Sequence, residues 1–188
     1  MKEPKKVIAL GFFDGVHLGH QALLRRTVER AAEQNMTPAV FTFDRAPKEV
    51  VTGQKVPLLT TAEERAAIIR SLFPIDEVIV APFDHAMMTM PWRRFVDMLQ
   101  GEYHAGWLVA GHDFHFGYQN SGSPALLEER CRELGLGCDI IPAVTVDDRT
   151  VSSTYIRQLL LHGETAEARR YLGHDLLRHP LQKEQEKP

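Results

Sequence analysis

A doubly wound α/β architecture with five parallel strands is what this sequence predicts, on three observations. Short apolar, β-rich runs alternate with helical patterns along the chain, the sign of strands joined by crossover helices. Several of those runs end abruptly in glycines, histidines or hydroxyls, as strands do where an open parallel sheet collects ligands beyond its carboxyl ends. The 188 residues, 44% hydrophobic and 25% charged, suit one globular domain with a substantial core.

The elements follow in order. Lys6 to Leu10 reads as the first strand, and Leu18 to Gln34 as a helix with Leu23, Leu24, Val28 and Ala31 at helical spacing. Pro38 to Phe43 is the second strand. Asp44 to Leu59, interrupted by Pro47, Gly53 and Pro57 and without periodicity, predicts a long loop suited to substrate contact. Thr60-Thr61-Ala62-Glu63-Glu64 has the form of a helix start, continued by Ala66, Ile68, Ile69 and Leu72. A third strand spans Glu77 to Val80, a helix Pro91 to Leu99, a fourth strand Trp107 to Ala110, a helix Ser123 to Leu134 and a fifth strand Cys138 to Ile141. Two helices, Ser153 to Leu161 and Thr165 to Leu172, complete a domain over 1–175. The charged segment 176–188 lacks apolar periodicity, which predicts a disordered tail.

Composition excludes several classes. No apolar run approaches the ~20 residues that span a bilayer, and MKEPKK is not followed by a signal-peptide core, so a cytoplasmic protein without membrane attachment is expected. A net charge of −3 exerts no global pull on nucleic acid. Cys131 and Cys138 form no CxxC pattern and read as incidental thiols.

The chemistry is concentrated in three loops. Gly11 to His20, GFFDGVHLGH, joins the first strand to the first helix, where free N–H groups, the positive helix end and imidazole donors converge on an anion site. Gly11, Gly15 and Gly19 permit close backbone approach. His17 and His20, three apart, share a helix face. The string has neither GxGxxG spacing nor the lysine of GxxxxGK[ST]. Gly111 to Gly122, GHDFHFGYQNSG, follows the fourth strand. Val151 to Arg157, VSSTYIR, opens a helix with hydroxyls at Ser152, Ser153 and Thr154, and Arg157 lies one turn on. His112 and His115 flank Asp113, a spacing also found at transition-metal sites, although no third ligand is evident.

In this order, GxFDGxHxGH, GxDFxFG and SSTxIR closely resemble the adenylyltransferase (FAD synthetase) module of bacterial bifunctional riboflavin kinase/FAD synthetases. Lesser matches are Leu59-Thr60-Thr61 before Glu63-Glu64-Arg65, and Leu172-Gly173 after the last motif. The resemblance runs from about Val7 to Gly173 and implies a Rossmann-like nucleotidylyltransferase fold. It also implies Mg²⁺-dependent transfer of AMP from ATP to FMN, giving FAD and pyrophosphate. On that reading His17, His20 and Arg157 are catalytic. Gly11, Phe12, Phe13, Asp14, Gly15, Gly19, Ser152, Ser153 and Thr154 bind the nucleotide, with Asp14 orienting its loop. Asp113 is the metal ligand, and Phe43, Asp44, Phe114 and Phe116 contact the flavin.

Three departures accompany the match. Asp44-Arg45-Ala46-Pro47 lacks the His-Pro pair that family members usually carry there. Tyr118 to Gly122 lacks their basic residue. The resemblance stops short of the β-barrel kinase of the bifunctional enzymes, so FMN is expected from a separate riboflavin kinase, unless the chain is an excised module or a paralogue. Two other readings use the same loops: nucleotidyl transfer to another phosphorylated small molecule, and a non-catalytic nucleotide- or flavin-binding protein.

Overall fold

The computed structural model describes residues 4–176, and segment 177–188, where most of the expected tail falls, lies outside them. β1 (Lys6–Leu10) leads through a 3₁₀ turn at Asp14–Val16 into α1 (Leu18–Gln34), then β2 (Thr37–Phe43), α2 (Pro47–Thr52), α3 (Ala62–Leu72) and β3 (Glu77–Ala81). α4 (His85–Met88), α5 (Trp92–Gly101), β4 (Ala105–Gly111), α6 (Pro124–Leu134) and β5 (Gly137–Ile141) complete the sheet region. β6 (Thr145–Val146), β7 (Arg149–Thr150), α7 (Ser153–Leu161) and α8 (Thr165–Leu172) follow.

The five-stranded sheet has order β3-β2-β1-β4-β5, and every pairing is parallel. Successive strands are added outward from β1 to β3, after which β4 returns to the other side of β1. The crevice beyond the carboxyl ends of β1 and β4 is therefore the topological switch point, where doubly wound sheets bind ligands. β1 and β4 read as continuous apolar runs because helices cover both faces. Ile8, Leu10, Phe41 and Leu108 meet Phe95 and Leu99 of α5 and Leu127 of α6. On the opposite face Val7, Ala9, Val40 and Val109 meet Leu24 and Ala31 of α1 and Ile68 and Ile69 of α3. A third cluster, with Leu59, Val151, Ile156 and Tyr171, seats α7 and α8 at the ligand end.

Capping chemistry fixes the helix starts. Thr61 accepts the Glu64 N–H at 3.2 Å while the Glu64 carboxylate accepts the Thr61 N–H at 2.9 Å, a full capping box on α3. The expected loop 44–59 instead contains α2, with Pro47 in its first turn and Gly53 closing it in the left-handed region (φ 69°). Six residues are too few for a periodic signal, but proline inside the start and glycine past the end are its signature. α4 and the β6–β7 hairpin also go beyond the expected elements. Asp147 and Asp148 turn that hairpin with φ 48° and 61°.

Asp139 on β5 braces the far end of α1. Its carboxylate accepts Arg26 Nε at 3.0 Å, Arg30 Nε at 3.0 Å, Arg30 Nη2 at 3.1 Å and Trp107 Nε1 at 3.1 Å, while the Arg30 guanidinium lies 4.2 Å over the Trp107 ring. Removing the acceptor takes the shared partner from three half-buried donor side chains at once and leaves Arg26 and Arg30 only their more exposed glutamate neighbours. Asp139→Ala is expected to lower unfolding stability by about 2 to 3 kcal/mol, read as a lower denaturant midpoint at unchanged slope. A loss under about 0.5 kcal/mol would show that the network contributes nothing beyond a surface ion pair.

Candidate active site

A cleft of about 530 Å³ opens at the switch point, within the size range of small-molecule sites. Its walls come from Leu10–Phe12 and His17–Leu23 after β1, Phe43–Leu58 after β2, Gly111–His115 after β4, Ile141–Val144 after β5, and 150–157 leading into α7. The three motif loops thus share one cavity.

The turn between β1 and α1 is backbone-strained. Phe13, Gly15 and Val16 have φ of 58°, 79° and 44°, and a β-branched residue at positive φ is unusual. Asp14 holds the turn. Its Oδ1 accepts the N–H groups of Leu59 at 2.9 Å and Thr60 at 3.0 Å, its Oδ2 pairs with Arg157 Nη1 at 2.8 Å, and its carbonyl accepts the Ser153 hydroxyl at 2.9 Å. Burial pushes the Asp14 carboxyl up from its ordinary range, opposed by those backbone donors and by the Arg157 guanidinium. Thr60 Oγ1 takes the Gly15 N–H at 3.0 Å. From the other side, Gln21 donates to the carbonyls of Val16 at 2.9 Å and Leu172 at 2.7 Å, and His174 Nε2 meets the Gly15 carbonyl at 2.9 Å.

His17 and His20 stack with ring centroids 3.6 Å apart and planes 12° from parallel. His17 Nδ1 accepts the His20 N–H at 3.3 Å, capping α1 and leaving Nε2 to carry the proton of the neutral ring. His20 Nδ1 is buried without a partner among the described residues, so protonation at Nε2 would leave only a lone pair unmet there. Burial pulls His17 down to about 4. Burial also lowers His20 well below the usual imidazole range, reinforced by the His17 and Arg65 charges. Both rings are neutral donors at pH 7. A Cβ at Gly19 would stand 3.1 Å from His17 Cε1, so this glycine keeps space for the stack.

The hydroxyls of the third loop are differently committed. Ser152 Oγ accepts the Tyr155 N–H at 3.2 Å as the α7 cap, and Thr154 Oγ1 accepts Arg157 Nη2 at 3.1 Å, so each keeps its own proton to donate. The Ser153 proton is spent on Asp14. Asp113 presents a side chain 83% exposed on the β4 wall, with His112 Nδ1 at 3.9 Å. Among the described residues no cluster of three His, Cys, Asp or Glu side chains is placed to hold a metal ion. A single carboxylate oxygen beside substrate phosphates still fits Mg²⁺, which retains several waters.

Not every expected residue reaches the cleft. Phe13 is fully buried in the core, its ring 5.2 Å from that of His20. Gly15 lies beneath Leu59 rather than on the wall. Phe116, 6% exposed, stacks under Phe114 at 5.3 Å and against Phe95 at 5.5 Å, so its ring is core and not flavin-facing surface. Asp44 Oδ1 is used by the Phe83 N–H at 2.9 Å, tying the β2 exit to β3. Phe12, Phe43 and Phe114 do line the cavity.

Arg65 is an additional contributor. Its side chain is fully buried, with Nη2 donating to the Phe43 carbonyl at 2.6 Å and the guanidinium 4.1 Å over the Phe12 ring. Its Nε and Nη1 have no hydrogen-bond partner among the described residues. An arginine after Glu-Glu on an amphipathic helix looks like a solvated charge in sequence, and only the packing of α3 under two strand exits reveals otherwise.

The neutral histidines link the site to stability. His17 binds a proton near pH 6.5 when unfolded and near 4 when folded, so its contribution is complete above 6.5 and lost as pH falls toward 4. The loss is expected to reach about 3 kcal/mol. Subtracting the pH–stability profile of His17→Asn from that of the unaltered chain isolates it from Asp14, whose raised carboxyl acts in the opposite sense. Parallel profiles between pH 6.5 and 4 would contradict the assignment.

Comparison with known proteins gives the chain's family. Residues 1–155 match the family described as FAD synthetase. Bifunctional riboflavin kinase/FMN adenylyltransferases of Bacillus subtilis and Listeria monocytogenes are 32% identical over 174 residues and 33% over 171. These alignments take in 92% and 90% of this chain but 54% of each relative, so the chain spans about half their length. A shorter relative from Geobacillus thermodenitrificans, 32% identical over 171 residues, is covered to 90%. A solved structure described as a macrolide-efflux protein from Streptococcus pneumoniae superposes with a TM-score of 0.83 at 27% identity, over 94% of this chain and 59% of that one. By sequence family, sheet order and the loops gathered at the switch point, this chain is a member of the FAD synthetase family.

Proposed function

We propose that the chain transfers AMP from ATP to FMN, releasing FAD and pyrophosphate. The observation that carries this reading is the shared cleft, in which two neutral, stacked imidazoles face an Asp14-held Arg157 and the Asp113 carboxylate. The reaction is an in-line displacement. A phosphate oxygen of FMN forms a bond to the α-phosphorus, and the bond from that phosphorus to the oxygen bridging the β-phosphate breaks, its electron pair leaving with pyrophosphate. No base is needed, since a phosphomonoester with a second pKa of about 6 is largely dianionic at pH 7.

His17 and His20 donate from Nε2 to oxygens of the α-phosphate as its charge grows. The His17 tautomer, fixed by the His20 N–H on its Nδ1, means that this donor needs no reorganisation during transfer. Ser152, Thr154 and Arg157 hold the departing phosphates; Arg157, anchored through one guanidinium edge, retains donors for them. Asp113 would hold Mg²⁺, which when bound neutralises phosphate charge. Phe12, Phe43 and Phe114 provide ring surface for the adenine or isoalloxazine.

Incubating the purified chain with ATP, Mg²⁺ and FMN, and separately with riboflavin, should give FAD from FMN alone, resolved by chromatography. Pyrophosphate release only with a different phosphorylated acceptor would replace FMN as the substrate, and binding without turnover would support a non-catalytic protein. His20→Ala is expected to cut kcat by about a hundredfold while FMN affinity changes less than about threefold. Equal losses in rate and affinity would remove His20 from the transition state.

A further inference from the structure

We propose that Lys48 binds the phosphate of the acceptor and makes the site prefer a phosphorylated flavin over riboflavin. The inference rests on the FMN-adenylylating reading above. The cleft's carboxylates and permanent cations are Asp14, Asp113, Arg157 and Lys48; its imidazoles are His17 and His20, kept neutral by burial, and His112 and His115 on the wall that follows β4. Arg157 is offset by Asp14 at 2.8 Å. Arg45, the neighbouring cation, is turned to Asp44 at 3.5 Å and does not line the cavity. Lys48 makes no ion pair among the described residues, and so is the cleft's one uncommitted permanent cation there.

Its position selects the acceptor rather than ATP. The ATP-directed donors stand on the β1 and α7 walls, whereas Lys48 belongs to α2 on the wall that follows β2. That wall is otherwise apolar, with Phe43, Ala46, Pro47 and Val56, and thus offers a ring surface and one cation, the two features of a phosphorylated flavin. α2 is held in place: the Glu49 carboxylate accepts the Val56 N–H at 2.8 Å, and that bond also commits the acid next in sequence to Lys48.

The segment after Gly117, which carries no basic residue, is in no position to substitute. Tyr118 donates its N–H to the Met90 carbonyl at 2.8 Å, a Cβ at Gly117 would strike Trp92, and none of residues 118–122 lines the cleft. The flexible four-carbon stem of lysine lets the ammonium follow the phosphate as the reacting oxygens align.

The test is equilibrium binding of FMN and of riboflavin, followed by flavin fluorescence, together with FAD formation. Lys48 is solvent-exposed, so Lys48→Ala should fold normally, which its thermal transition verifies. Expected is about a tenfold weaker FMN affinity, with riboflavin affinity and the KM for ATP within about twofold and partial recovery in Lys48→Arg. Equal weakening toward both flavins, an effect confined to the KM for ATP, or unchanged FMN affinity in a chain that still makes FAD would each overturn the proposal alone. No FAD from the unaltered chain would overturn the parent reading as well.

Discussion

The Asp14 carboxylate is the contact on which the site depends. One oxygen ties the β1 turn to the backbone at Leu59 and Thr60, and the other ties it to Arg157 on α7, so segments far apart in sequence are referenced to one buried residue. A buried carboxylate is costly to desolvate, and it tolerates this position because two N–H groups and a guanidinium surround it. The strained turn at Phe13 to Val16 persists for the same reason. Unfavourable dihedrals survive only where neighbouring interactions overdetermine them. Asp14 therefore acts by geometry, setting where His17 and Arg157 stand relative to each other.

The sheet supplies the rigid frame. Parallel pairing places the exits of β1, β2, β4 and β5 at one end, and the two-sided core immobilises them. Arg65 extends the frame into the cleft by joining the β2 exit at Phe43 to the β1 exit at Phe12. His174 and Gln21 close the turn from the α8 side, so the loop between β1 and α1 is gripped on both flanks.

Much of this was readable in the residues, and the failures have physical causes. The strands, α1 and α3 are legible because their apolar spacing reflects burial on two faces or one, and because Thr61 and Glu64 announce a capping box. α2, α4 and the β6–β7 hairpin are too short for any period to emerge, although Pro47 and Gly53 mark α2 by composition. Motifs reported which loops meet but not which way rings point: of the four phenylalanines at the β1 and β4 exits, Phe12 and Phe114 face the cleft while Phe13 and Phe116 enter the core. Once the chain leaves the strand, ring direction is set by local turns, such as the positive φ of 58° at Phe13 and the Phe114 N–H bonded back to the Gly111 carbonyl, and a motif string does not encode them. The commitments of the Ser153 and Arg157 donors are likewise invisible until α7 is docked on Asp14.

The uncharged histidine stack has a consequence for selectivity in a crowded mixture of metabolites. A pocket rich in imidazolium would attract inorganic phosphate, sugar phosphates and any other polyanion by long-range field, and would be occupied by the most abundant of them. With His17 and His20 neutral, Arg157 offset by Asp14, and the single ammonium of Lys48 matched in number by the Asp113 carboxylate, the lining carries little net charge to advertise the cavity. Such a pocket discriminates at contact distance, through the direction of a few N–H groups, so an abundant anion of the wrong shape is a weak competitor.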